Sequence, residues 1–83
     1  MKVSVRYFAS IREALGPRET VDVGEGSSIG AIRDVLIARD GAHAEALSRG
    51  KALRTALEQV LSDESAIVSE GAELAFFPPV TGG

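Results

Sequence analysis

Two consecutive prolines, Pro78 and Pro79, follow directly on the apolar run Glu73 to Phe77. A proline has no N–H to donate and fixes φ, so neither residue can continue a strand ladder. Each also steers the residue before it away from helix. A strand over Glu73–Phe77 must therefore stop at Phe77, and the chain must leave the sheet there as an extended arm. The arm reads Pro78-Pro79-Val80-Thr81-Gly82-Gly83. Glycine adds no side-chain bulk and tolerates nearly any backbone angle. Such an arm can thread a narrow channel and carry a terminal carboxylate to its far end. Taken by itself, a Gly-Gly end has a plainer reading as a frayed terminus.

The rest of the chain is small. Its 83 residues make one domain, and a chain of this size buries only about 60% of its unfolded surface, so the core is thin. At 45% hydrophobic and 25% charged it reads as globular and not as disordered. A net charge of −3 with no basic cluster argues against a nucleic-acid partner. There is no apolar run near the roughly 18 residues of a membrane span, and Met1-Lys2 opens on a strand pattern instead of a signal peptide. The expected compartment is the cytoplasm, with no membrane association. The chain has no cysteine, which excludes disulfides, thiolate metal sites and a persulfide on this chain.

Lys2 to Phe8 alternates, with Val3, Val5 and Tyr7 on one face and Lys2, Ser4 and Arg6 on the other, as in a half-buried strand. Phe8 puts an aromatic on the polar face. Ala9 to Leu15 suits a helix, ended by Gly16-Pro17. Glu19 to Val23 reads as a second strand, antiparallel to the first because the connection is short. Ser27 or Ser28 can cap the main helix, expected over Ser28–Arg39, with Ile29, Ile32, Val35 and Leu36 on its apolar face and Arg33 and Asp34 outside. Gly24 and Gly26 do not make a phosphate loop, because Ile29 stands where the third glycine would fall. Asp40 to Gly50 reads as a polar excursion with a short helix near Ala44–Leu47. His43, the only histidine, reads as a solvated loop residue, since it has no cysteine or second histidine to share a metal. By spacing and propensity alone Ala52–Leu61 reads as helix. Ala66–Val68 reads as a short extended piece, and Glu73–Phe77 as the last strand.

Phe76 to Gly83 resembles the C-terminus of the small subunits of molybdopterin synthase essentially letter for letter. The opening Val3-x-Val5-x-Tyr7-Phe8-Ala9-x-x-Arg12-Glu13 is similar to that family's first strand and turn, and Glu70-Gly71-x-Glu73-Leu74-Ala75 to the turn before its last strand. The resemblance covers all 83 residues and is weakest between Asp22 and Leu53. It implies an α+β fold, the ubiquitin-like β-grasp, over residues 1–77. In that fold one main helix packs on one face of a mixed sheet, the first and last strands lie side by side at its centre, and residues 78–83 form a tail. It also implies a strand, not a helix, within 52–61, with Leu57-Glu58-Gln59 on the third strand.

The chemistry implied is sulfur transfer. With no thiol on the chain, the position left for sulfur is the Gly83 carboxylate. A carboxylate is a poor electrophile, and the chain has no nucleotide-binding loop, metal cluster or Ser-His-Asp set to activate it. The family scheme assigns activation to partners. An ATP-dependent, ubiquitin-activating-like adenylyltransferase makes a glycyl adenylate at Gly83, and a sulfur donor protein converts it to a C-terminal 1-thioglycine, a thiocarboxylate. The thiocarboxylate enters the large subunit of molybdopterin synthase and sulfurates cyclic pyranopterin monophosphate to the molybdopterin dithiolene, in a heterotetramer of two small and two large subunits. This chain would be a non-catalytic sulfur donor whose reacting group is Gly83. Gly82 gives clearance, and Pro78, Pro79, Val80 and Thr81 set reach. Phe8, Leu61 and Phe77 match positions that the family uses for partner contact, and each has an alternative reading as core. Lys51 matches too, either meeting an acidic group or standing as a solvated lysine. No cofactor or metal is expected on the chain itself. Two rival readings share the tail: a sulfur carrier for thiamin or tungsten-cofactor synthesis, and a protein modifier conjugated through Gly83.

Overall fold

The computed structural model describes residues 1–79. Five strands form one mixed sheet: β1 (Lys2–Tyr7), β2 (Arg18–Asp22), β3 (Arg54–Leu57), β4 (Val60–Leu61) and β5 (Glu73–Phe77). Their spatial order is β2-β1-β5-β3-β4. β1 pairs antiparallel with β2 and parallel with β5, and β5 pairs antiparallel with β3. The first and last strands thus share the centre of the sheet. Three helices accompany it: α1 (Ala9–Leu15), α2 (Ile29–Ile37) and α3 (Gly41–Ala46). This is the expected α+β arrangement.

Period-two alternation divides the sheet into two faces. Val3, Val5 and Tyr7 from β1, Val21 from β2, and Leu74 and Phe76 from β5 are all buried against Ile11 of α1, Ile29, Ile32 and Leu36 of α2, and Ala46 of α3. Tyr7 and Phe76 stack here with ring centroids 6.3 Å apart. The opposite face carries Ser4, Arg6, Arg54, Ala56, Glu73, Ala75 and Phe77, the alternate residues of the same strands. One-sided burial of this kind is what an alternating strand encodes.

α2 begins at its expected cap, since the Ser28 hydroxyl accepts from the Ala31 N–H at 3.1 Å. Two of its side chains depart from the sequence reading. Val35 is 45% exposed and lies outside the core. Arg33, expected outside, is 3% exposed, because its guanidinium donates to the carbonyls of Leu47, Ser48 and Lys51 and to Glu64. The short helix falls at Gly41–Ala46, started by the Asp40 carboxylate accepting from the His43 N–H at 2.9 Å.

Within residues 52–61 the chain forms strands and not a helix, as the resemblance implies and helical propensity does not. They form a hairpin, and Glu58 and Gln59 are its two-residue turn, not part of the third strand. Leu57 pairs with Val60, and Glu58 and Gln59 have φ of 51° and 68°, the left-handed pair that a primed hairpin turn requires. The short strand is therefore Val60–Leu61. The segment Ala66–Val68 contributes only one bridge, Ser28 with Ile67.

Candidate functional site

Phe8, Leu61 and Phe77 come together on the bare face of the sheet. They line one shallow depression with Arg6, Ala56, Gln59, Glu73 and Ala75. Each arrives by a local rule. Phe77 is the outward residue that ends β5, directly before the prolines. Phe8 follows β1 in parallel register with β5, and its N–H donates to the Phe76 carbonyl at 3.2 Å. Its own carbonyl accepts from the Arg12 N–H and starts α1, and Ala9 turns the chain with a φ of 52°. Leu61 pairs with Ala56, so the hairpin turn places it on the same side as Ala56 and Ala75.

The rings of Phe8 and Phe77 meet edge to face, with centroids 6.3 Å apart and planes at 89°, a favoured aromatic geometry. The Arg6 guanidinium lies 5.2 Å from the Phe8 ring centroid and 3.6 Å from the Glu73 carboxylate. Its Nε atom is buried without a hydrogen-bond partner among the described residues. Ala56 and Ala75 form a floor without bulk. Leu61 is 64% exposed, which overturns the core reading for it, and the two phenylalanines are half-buried. Arg6 and Gln59 were not singled out in the sequence. Arg6 could have been found from its position two residues before Phe8, on the same strand face.

The root of the tail adjoins this patch. Pro78 is half-buried and Pro79 exposed. Pro78 also lines a second groove on the helical side, with Ile11 and Ala14 of α1, Ala46 of α3, and Leu53 and Lys51. Lys51 therefore does not join the aromatic patch; it stands around the edge of the sheet, beside Pro78. Val80, Thr81, Gly82 and Gly83 lie outside the described residues. Among the described residues no group of three His, Asp or Glu side chains is placed to hold a metal, and no helix is long and apolar enough to cross a membrane.

His43 departs most from its sequence reading. It is a buried side chain of α3 and not a solvated loop residue. Its Nδ1 lies 2.8 Å from Asp40 Oδ1 and its Nε2 2.6 Å from Glu19 Oε2, an arrangement that only the doubly protonated imidazolium satisfies on both sides. The Tyr7 hydroxyl donates to Glu19 Oε2 at 2.6 Å and Arg39 to Glu19 Oε1 at 2.5 Å. Burial alone would push the His43 pKa down, but the hydrogen-bonded carboxylates of Glu19 and Asp40 outweigh it and hold it above its ordinary value. Burial would raise the Glu19 carboxyl; the Tyr7 and His43 hydrogen bonds and the cations His43 and Arg39 win and lower it. The Tyr7 phenol is pushed up, by burial first and by Glu19 second. The network pins α3 to β1 and β2. It lies on the helical side and contains none of the residues that line the aromatic patch.

The ThiS family model matches residues 5–83. The chain belongs to the ThiS family. A molybdopterin synthase sulfur carrier subunit from Escherichia coli is 37% identical over 81 residues, covering 98% of this chain and 99% of the relative. Among solved structures, the H. volcanii small archaeal modifier protein 1 is 25% identical with a TM-score of 0.78, covering 95% of this chain and 98% of that one. The protein-protein complex of subunits 1 and 2 of the molybdopterin-converting factor from Helicobacter pylori contains a chain 25% identical to this one. The two superpose with a TM-score of 0.69 over the full length of both. These likenesses fit the ThiS-family fold seen here, with the tail leaving from the strand that occupies the middle of the sheet.

Proposed function

We propose that this chain is the sulfur carrier subunit of molybdopterin synthase, and that its reacting group is the terminal carbonyl of Gly83. The observation that carries the reading is the full-length likeness to a molybdopterin synthase sulfur carrier subunit, 37% identical over 81 residues. The apolar trio Phe8, Leu61 and Phe77 at the foot of the tail supports it as a docking face. An exposed cluster of this kind, rimmed by Arg6 and Glu73, marks a protein contact. The large subunit docks on this face, and Pro78 to Gly83 reaches into its active site.

Activation comes from outside. A carboxylate oxygen of Gly83 attacks the α-phosphate of ATP on an adenylyltransferase, and pyrophosphate leaves. Sulfide-level sulfur delivered by a donor protein then attacks the acyl carbon as the bond to AMP breaks, so that AMP leaves and Gly83 ends as a thiocarboxylate. The thiocarboxylate gives its sulfur to a cyclic pyranopterin phosphate held by the large subunit. The chain works in the cytoplasm, where these partners and ATP are found. Intact mass of the protein isolated from its native cell tests this: one oxygen replaced by sulfur at the C-terminus is expected. A variant extended by one residue past Gly83 should fail to restore molybdoenzyme activity in a deficient strain. Restoration without trimming would overturn the reading.

The likeness to a small archaeal modifier protein favours a second reading, conjugation of Gly83 to lysines of target proteins. The activation step is common to both. Conjugation would appear as high-mass ladders on blots of the native cell, which sulfur transfer does not produce.

A further inference from the structure

Arg33 is a buried cation that spends three of its four hydrogen bonds on one loop. Nε donates to the Leu47 carbonyl at 2.8 Å, and Nη2 to the Ser48 and Lys51 carbonyls at 2.5 and 3.1 Å. Nη1 meets Glu64 at 2.6 Å. A buried ion pair is by itself weak evidence for added stability, because apolar residues replacing both partners together often do as well, whereas removing one partner strands the other. What a planar fork of donors can do, and a leucine cannot, is hold several acceptors at fixed spacing. Here it fixes the backbone over 47–51.

The loop answers in kind. Arg49 donates to the Gly30 carbonyl at 2.8 Å and to Asp34 at 2.9 Å, both in α2, and also pairs with Glu64. A Cβ on Gly30 would stand 3.2 Å from the Glu64 carboxylate and 3.5 Å from the Arg49 guanidinium, so the knot is closely packed. Both arginines are thus neutralised inside the molecule. Lys51, the third cation of this region, makes no ion pair with the described residues. Its side chain is exposed, and it lines the groove beside Pro78.

We propose that Arg33 is a positioning residue for Lys51. By holding the backbone of 48–51 it presents the Lys51 ammonium at the tail root to a carboxylate on the rim of the large subunit. The inference rests on the function proposed above. A charge at the rim of an interface acts mainly on the association rate and its salt dependence, and that readout separates positioning from plain stability.

The test is stopped-flow association of the full chain with purified large subunit across a range of ionic strength. Lys51→Ala should slow association at low salt by about 5-fold and flatten its salt slope. Arg33→Lys, which keeps a cation near Glu64 but cannot span three carbonyls, should reproduce both effects. The double variant should be no slower than Lys51→Ala alone. Ile32→Val, a core change on the same helix, should lower the melting temperature and leave the salt slope intact. If Arg33→Lys does not fold, Ala52→Gly loosens the same loop without touching the core. It should then slow association only where Lys51 is present. Additive effects of Arg33→Lys and Lys51→Ala, or an Arg33→Lys rate equal to that of the unaltered protein, would overturn the positioning role alone. An unaltered chain that does not associate with the large subunit would overturn the proposed function instead.

Discussion

The helical side and the bare sheet face reverse the usual distribution of residues. On the helical side Arg33 and His43 are buried among carbonyls and carboxylates. On the bare face Leu61 stands in solvent beside two half-buried phenylalanines. The contrast separates two jobs. Buried charge with every donor satisfied fixes loops and short helices that lack enough apolar surface to fix themselves. Exposed apolar side chains contribute little to the fold and are available to a partner.

The sharpest break in this contrast is Arg33→Met. It leaves three carbonyls without their donor, and unfolding should show a loss of about 3 kcal/mol by urea titration. A loss under about 0.5 kcal/mol would mean that the loop over 47–51 holds itself. Leu61→Asp tests the other side. Stability should change by less than about 0.5 kcal/mol, while calorimetric affinity for the large subunit falls by about 2 kcal/mol, or roughly 30-fold. Equal losses in both measurements would place Leu61 in the core after all.

His43 sharpens the comparison through pH. Its pKa is raised above the ordinary histidine value of 6.5 in the fold, so its contribution is complete below that value and is lost as pH rises through the folded pKa. Glu19 and Asp40 are lowered from 4.5 and 3.8, so theirs is present above those values and lost as pH falls through the depressed ones. Melting temperature should therefore be highest in mildly acid solution and decline on both sides. His43→Gln should cost about 1 kcal/mol near pH 6 and remove the decline on the neutral side. A neutral limb unchanged in that variant would show that another group titrates there.

The smallest expected effect concerns the hairpin. Glu58 and Gln59 hold left-handed backbone that L side chains adopt at a cost. Glu58→Asn with Gln59→Gly supplies the residues this turn prefers, and should stabilise by about 0.5–1 kcal/mol in thermal unfolding. A loss of stability would point to side-chain contacts of Gln59 across the patch as the stronger term.

The elements that alternate or repeat cleanly were legible. β1, β2 and β5 follow from period-two burial, α2 from Ile29, Ile32 and Leu36, its start from Ser28, and the end of β5 from Pro78. The hairpin over 54–61 was hidden because its turn is Glu-Gln and not Asn-Gly, and because its residues favour helix. Tertiary pairing with β5 decided the matter. Arg33 and His43 were misread for one shared reason. A charged residue is assigned to solvent when its partners are distant in sequence, and here those partners are Leu47, Ser48, Lys51 and Glu64 for one and Glu19 for the other. The tail residues and the trio Phe8, Leu61 and Phe77 were chosen by resemblance. That Leu61 meets the two phenylalanines depends on the register of β4 with β3, which no local pattern contains.

β1 and β5 run parallel, from Ser4 beside Glu73 to Tyr7 beside Phe76. A tug on Pro78 along the strand direction therefore loads that whole row of main-chain bonds sideways and together, instead of unzipping it bond by bond. A tail rooted this way can be drawn out of a tight-fitting channel without unravelling the sheet that holds it.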